Sequence, residues 1–244
     1  MLPINLYNYS HMRKLLFFLL VLSCATQFVH SQVPVTGLPL QNSSVDLQEI
    51  LSSSFSVSTN KTFHLIFPNE VKYFSIGDEN VAGEKIDAYP CAIRLKSVVP
   101  SFEGLTNMSV VTADGQYYSY NISFAPELLE TYLQVGKDYK QPPVIAVNDN
   151  QQSHLIFPDK VIYVDYGTTD VEVVKASGVD NIVAVRASAA FERQTNVTVV
   201  TQSGKFYTFN LKFAEKPSQL SFVVDPAANA ANKRVALLDN KELN

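Results

Sequence analysis

The sequence predicts an all-β protein made of two tandem small antiparallel β-sandwich or open-barrel domains that arose by internal duplication. Three observations predict it: a long ordered self-match, alternation of apolar and polar residues inside each copy, and a glycine-bearing tight turn between two alternating runs. His64-Leu65-Ile66-Phe67-Pro68 recurs as His154-Leu155-Ile156-Phe157-Pro158. At the same spacing Val71 pairs with Val161, Tyr73 with Tyr163, Gly77 with Gly167, Val81 with Val171, Lys85 with Lys175 and Lys96 with Arg186. One residue is then lost and the match resumes. Phe102-Glu103 pairs with Phe191-Glu192, Thr106-Asn107 with Thr195-Asn196, Val110-Val111-Thr112 with Val199-Val200-Thr201, and Asn121 with Asn210. Chance does not keep this order over roughly sixty residues.

In the first copy, strands are predicted at 62–67, 71–75, 92–98, 108–112 and 116–124, with counterparts at 153–157, 161–165 and 182–187 ahead of the second hairpin. Ala113-Asp114-Gly115 separates the last two runs of the first copy. Asp-Gly between β-rich runs is a strong hairpin signal, because the central residues of such a turn must adopt positive φ. Ser203-Gly204 stands at the same place in the second copy. Beyond the turn, Tyr118, Tyr120, Ile122 and Phe124 fall on one face, with Ser119, Asn121 and Ser123 on the other. Tyr207, Phe209, Leu211 and Phe213 repeat the apolar face against Thr208, Asn210 and Lys212. Each hairpin therefore reads as half-buried.

The domains are placed at 61–127 and 153–224. Residues 128–152 read as a linker around Gln141-Pro142-Pro143, with 128–133 a short helical turn or another strand. Residues 32–60, Ser-rich at the centre, read as a flexible leader, and 225–244 as a polar tail, of either a truncated chain or a specialised relative. Domains this small bury a marginal core alone, so each is expected to pack on its twin or on other subunits.

Residues 1–31 carry the targeting signal. Met12-Arg13-Lys14, the apolar stretch 15–22 and the small residues after it have the order of a secretory signal, with translation starting at Met12 and cleavage after Ser31. The stretch is too short to span a bilayer, which takes about 20 apolar residues. A competing reading takes Val21-Leu22-Ser23-Cys24 as a lipobox that leaves a lipid on Cys24. Either way the chain is expected to be exported, to the periplasm or the outer membrane.

Nineteen basic residues against 23 acidic, a net charge of −4, give no phosphate-binding footprint, so direct nucleic acid binding is not expected. Two cysteines cannot build a disulfide scaffold, and after processing only Cys91 remains, a structural or free thiol whose counterpart is Asn181. No glycine-rich phosphate loop and no Gly-x-Ser-x-Gly elbow occurs, and no cofactor is expected. His64 and His154 lack metal-ligand or paired-carboxylate spacing, so each is read as a scaffold residue that begins a strand and hydrogen-bonds locally. Asn107 and Asn196 sit at strand starts and are read as serving the fold. Asn121 and Asn210 mark the polar hairpin faces that would meet a neighbour. Lys85, Lys175, Lys96 and Arg186 recur as candidate interaction charges, with solvated loop positions as the plainer reading.

Taken together, His-Leu-Ile-Phe-Pro, a Val-x-Tyr strand with a following Gly, Thr-Asn-x-(Ser/Thr)-Val-Val-Thr, a Gly turn and an aromatic run ending in Asn resemble the N-terminal domain of the TraN family of Bacteroidota conjugative transposons. The likeness covers about 60–125 and, more closely, 153–244, where Ala214-Glu215-Lys216-Pro217 and Gln219-Leu220 are similar to the segment closing that domain. More distantly, the Thr-Asn hairpin resembles the TraO/TrbG-type outer-membrane core subunits of type IV secretion systems. The resemblance implies a non-enzymatic structural subunit of a conjugative transfer apparatus, with other envelope proteins and further copies of itself as partners. It departs from the family pattern in having two copies and in lacking a longer C-terminal β-domain. The alternative expectation is a secreted adhesin or a glycan- or peptide-binding module.

Overall fold

The structure is a computed structural model and describes residues 47–228. The expected signal segment, Cys24 and most of the expected tail lie outside the described residues. Both repeats belong to one compact unit that begins at Glu49. The first repeat contains β1 (Ser53–Val57), β2 (Phe63–Ile66), β3 (Val71–Ile76), β4 (Val81–Lys85), β5 (Ala92–Ser97), β6 (Thr106–Thr112), β7 (Tyr117–Phe124) and β8 (Tyr132–Gln134). The second contains β9 (Val144–Val147), β10 (Ser153–Ile156), β11 (Val161–Tyr166), β12 (Val171–Lys175), β13 (Ile182–Ala187), β14 (Thr195–Thr201), β15 (Phe206–Phe213) and β16 (Ser221–Val223).

Each repeat is a sandwich of two four-stranded sheets. In the first repeat the order is β1-β7-β6-β3, here sheet I, over β4-β5-β2-β8, sheet II. The second repeat reproduces both as β9-β15-β14-β11, sheet III, and β12-β13-β10-β16, sheet IV. The fold is all-β and duplicated, as the alternation and the self-match predict. The central pairings are antiparallel. The first and last strands of each repeat, however, join sheet edges in parallel: β1 on β7, β8 on β2, β9 on β15 and β16 on β10.

Those edge strands correct two expectations. Residues 53–57, expected in a flexible leader, are β1: Phe55 and Val57 enter the core while Ser52 and Ser56 hydroxyls meet those of Ser119 and Ser123 on β7. Residues 128–152, expected to be a linker with a helical turn or a strand at 128–133, contain β8 at 132–134, β9 and a side-chain-capped turn. In that turn Asn148 Oδ1 accepts from the Gln151 amide at 2.9 Å, just as Ser58 Oγ accepts from the Lys61 amide in the first repeat.

Each sandwich has its own core, formed by the inward residues of both sheets. Phe63, Leu65 and Phe67 from sheet II meet Phe55, Met108, Val110, Tyr120 and Ile122 from sheet I. Leu155, Phe157, Val197, Val199, Phe209 and Leu211 do the same in the second repeat. Phe55 and Phe63 stack at 4.5 Å between ring centroids. Gly115 and Gly204 take positive φ at the hairpin turns, as the sequence requires.

Candidate protein interface

Equivalent strands have unequal burial, and the inequality locates the faces on which the two repeats meet. β6 alternates along its second half-exposed face, with Asn107 exposed, whereas β14 is buried at every position. β2 is buried throughout, whereas its equivalent β10 keeps His154 half-buried. Sheet II of the first repeat therefore covers sheet III of the second. The expectation that both hairpins are half-buried holds for the first copy and fails for the second, because the polar face of the second is taken by its twin.

The contact is built around Asp165, which alternation places on the outer face of β11, 6% exposed. Arg94 Nη1 donates to its Oδ1 at 2.7 Å, and His64 Nε2 stands 3.4 Å from its Oδ2. Burial works against the Asp165 charge, but His64, Arg94 and the Thr62 hydroxyl outweigh it and hold the carboxyl below the ordinary range. Thr198 Oγ1 lies 3.5 Å from His64 Nδ1, and the Phe206 ring meets the imidazole edge-on at 5.3 Å. Burial, then Asp165, pushes the Tyr163 hydroxyl up.

A second set of polar contacts fixes the register. The Thr62 amide donates to Asn196 Oδ1 and Asn196 Nδ2 donates back to the Thr62 carbonyl, each at 2.9 Å. Asn60 Nδ2 donates to the Gln194 carbonyl at 2.9 Å. Lys61 Nζ donates to the Leu128 carbonyl at 2.9 Å and lies 3.4 Å from Gln194 Oε1; burial draws its ammonium down, with Glu127 opposing. Lys96 Nζ donates to the Gly167 carbonyl. Ile66, Ile86 and Ala92 supply an apolar patch against Tyr132, Tyr163 and Phe206. Ile66 and Ile86, each 2% exposed, contribute about 1.5–3 kcal/mol apiece.

The expected site residues thus divide. His64 is fully buried, and its ring partners come from the other repeat and not from its own, where they were expected. His154 sits at the equivalent position of the outer face of sheet IV. Asn196 and Asn210 are buried, Asn196 in the interface; Asn107 is exposed and Asn121 half-buried on sheet I. Lys96 reaches across the interface, whereas its counterpart Arg186 pairs with Glu172 at 2.6 Å on sheet IV. Lys85 and Lys175 are used within their own repeats, donating to the Val71 and Val161 carbonyls at 3.3 and 2.8 Å, and stand on strands instead of in loops. Cys91 is half-buried, and burial followed by Glu70 pushes its thiol up, away from a reactive thiolate. Sequence reasoning missed Arg94 and Asp165. The available signal was divergence between the copies, since Ala184 and Ser75 stand at the equivalent positions.

Several further surfaces are concave. A cleft of about 490 Å³ is lined by Tyr132, Pro142, Pro143, Phe206, Phe209 and Phe222 among others. A smaller one of about 340 Å³ lies beside Lys61, Glu127, Arg193, Gln194 and Asn210. Among the described residues no helix is long and apolar enough to cross a membrane.

These features define a duplicated β-sandwich protein whose two domains dock through unlike sheet faces. The chain belongs to the family described as Domain of unknown function (DUF8473), whose model matches residues 55–128 and again 145–217. No curated protein matches the sequence. Among solved structures, it is similar to the Bacteroides ovatus mixed-linkage glucan utilization locus protein SGBP-B in complex with a mixed-linkage heptasaccharide, at 12% identity and a TM-score of 0.20. That likeness covers 68% of this chain and 44% of the glucan-locus protein. Domains 4 and 5 of the S-layer protein SbsC are 15% identical over 65% of this chain and 72% of that one, with a TM-score of 0.22. SporoSAG from Toxoplasma gondii is 10% identical over 68% and 96%, with a TM-score of 0.23.

Proposed function

We propose that the protein is an exported, non-enzymatic structural subunit of a bacterial conjugative transfer apparatus of the type IV secretion kind, acting through the sheet faces of its two β-domains. The observation that carries this reading is the use of the potentially chemical side chains. His64, Asp165 and Thr198 could be mistaken for a catalytic relay, yet His64 and Thr198 are fully buried where the repeats meet, with no approach for a substrate. They hold one β-domain to another, and such face-to-face docking is what an assembly subunit does. The TraN-like motifs supply the setting, and residues 12–31 support export. Attachment to the outer membrane would come from assembly or from a lipid on Cys24.

The test is a donor strain expressing the tagged protein. Other envelope transfer proteins are expected to co-purify, and deletion of the gene is expected to lower transfer frequency. Recovery of no partner together with unchanged transfer would sink the proposal. A second reading, a glycan- or peptide-binding module, is favoured by the aromatic- and proline-lined cleft at Tyr132, Phe206 and Phe222. It predicts oligosaccharide or peptide binding that is lost in Phe222→Ala while the donor's transfer frequency is unaffected.

A further inference from the structure

The internal contact joins unlike faces, sheet II of the first repeat and sheet III of the second. Each repeat carries the equivalents of both. Sheet I of the first repeat and sheet IV of the second are therefore a matching pair with no partner among the described residues. We propose that a second copy of the chain docks its sheet IV on sheet I, repeating the internal contact between molecules. This rests on the assembly reading above and names the partner and the surface.

Continuity with the internal interface carries the argument. Sheet I presents Tyr73, Gly77, Asn107 and Tyr117 where sheet III has Tyr163, Gly167, Asn196 and Phe206. The amide that bridges to the Thr62 backbone, the glycine carbonyl that accepts from Lys96 and the ring that meets His64 thus each have a counterpart. Sheet IV presents His154 and Arg186 where sheet II has His64 and Lys96, and Arg186 Nε is buried without a hydrogen-bond partner. The apolar exposure fits too: Tyr73 is 56% and Tyr117 47% exposed on sheet I, and Val174 is 51% and Val223 49% exposed on sheet IV.

Charge supplies a second argument. Sheet I has Ser75 in place of Asp165, while sheet IV has Ala184 in place of Arg94 and Val174 in place of Glu84, whose Oε2 accepts from Arg94 Nε at 2.9 Å. All three charges are absent together, so docking sheet IV on sheet I leaves no carboxylate or guanidinium buried without its partner from this cluster. Lacking the ion pair, the contact between molecules is weaker than the internal one and depends on concentration. Being heterologous, it adds copies end to end.

Sedimentation velocity of the purified protein over a concentration series tests this. The native protein is expected to form species that grow with concentration. Tyr117→Lys on sheet I and Val174→Lys on sheet IV, both at exposed positions, are each expected to raise the association midpoint at least about tenfold, because each buries an unpaired charge. Mixed, the two variants should form one heterodimer and nothing larger, since each retains the face the other has lost. A native protein that stays monomeric throughout, or either variant associating as the native protein does, overturns the proposal. If that happens while other envelope proteins still co-purify from the donor, the assembly reading stands and only this inference fails. Self-association with no other partner recovered and transfer unchanged gives the converse.

Discussion

At Asp165 a single carboxylate meets two side chains of the other repeat, Arg94 and His64. Its folded pKa lies below the ordinary value, because His64, Arg94 and Thr62 outweigh the cost of burial. A depressed carboxyl contributes stability that is fully present above its unfolded value, about 4, and lost as pH falls through the lower folded value. Urea unfolding across that acidic window should show a shallower loss of stability in Asp165→Asn than in the native protein, while Ser75→Ala at the equivalent position of sheet I leaves the profile unchanged. At neutral pH, Asp165→Ala is expected to cost about 2–3 kcal/mol, less than a fully enclosed pair because the Arg94 side chain is 44% exposed. Gly167 makes a parallel case. A Cβ there would overlap the Asn60 carbonyl from the other repeat as well as Thr195 Oγ1 and Asn196 Oδ1. At Gly77 the overlap is with the Asn107 side chain, whose end is exposed and free to move. Thermal denaturation should therefore place Gly167→Ala below Gly77→Ala by roughly 1–3 kcal/mol of stability.

Strands with nearly the same sequence are not interchangeable elements here. β6 reads Thr-Asn-Met-Ser-Val-Val-Thr and β14 Thr-Asn-Val-Thr-Val-Val-Thr, yet one faces outward and the other is covered. Ser109 and Thr198 occupy equivalent places. Ser109→Lys should change stability by about 0.5 kcal/mol or less, whereas Thr198→Lys, which puts an ammonium beside His64, should cost several times that in the same chemical denaturation assay. This pair also marks the limit of sequence reading. Period-two alternation and the Asp-Gly turn expose β6, β7 and their counterparts, because those signals are local to a strand and its neighbour. β1 escapes because Ser53–Val57 is Ser-rich, and β8 is legible only as one of two alternatives for 128–133; each becomes a strand by adding to an edge formed by residues distant in the chain. β4, Val-Ala-Gly-Glu-Lys, carries too few β-formers to stand out. The interface stayed hidden for another reason. Repeat matching draws attention to what the copies share, while a contact between unlike faces is written in what they do not: Arg94 against Ala184, Asp165 against Ser75 and Glu84 against Val174.

For the molecule as a whole, the interface is expected to couple two marginal sandwiches into one cooperative unit. Each repeat has a separate core, so nothing in the cores themselves couples the two. Coupling comes from the patch of Ile66, Ile86 and Ala92 with its aromatic surround, and from the Asp165 and Asn196 contacts. The native protein is expected to unfold in a single transition by circular dichroism and tyrosine fluorescence alike. Asp165→Arg sets a third cation against Arg94 and Lys96 and should separate the repeats, splitting the curve in two. The order of loss follows from burial. Sheet I already meets solvent on its outer face, so in the first repeat the loss falls on sheet II, where His64, Ile66 and Ala92 are uncovered, and β6 and β7 keep their surroundings. Sheet III has Asn196, Thr198, Val200 and Asn210 adapted to a covered face, and exposing it strips both packing and hydrogen bonds from β14 and β15. Hydrogen exchange on Asp165→Arg should therefore show protection falling first in β14 and β15 while β6 and β7 retain theirs. Equal loss in both pairs would mean that the repeats lean on each other symmetrically and that the covered face confers no special dependence on the second domain.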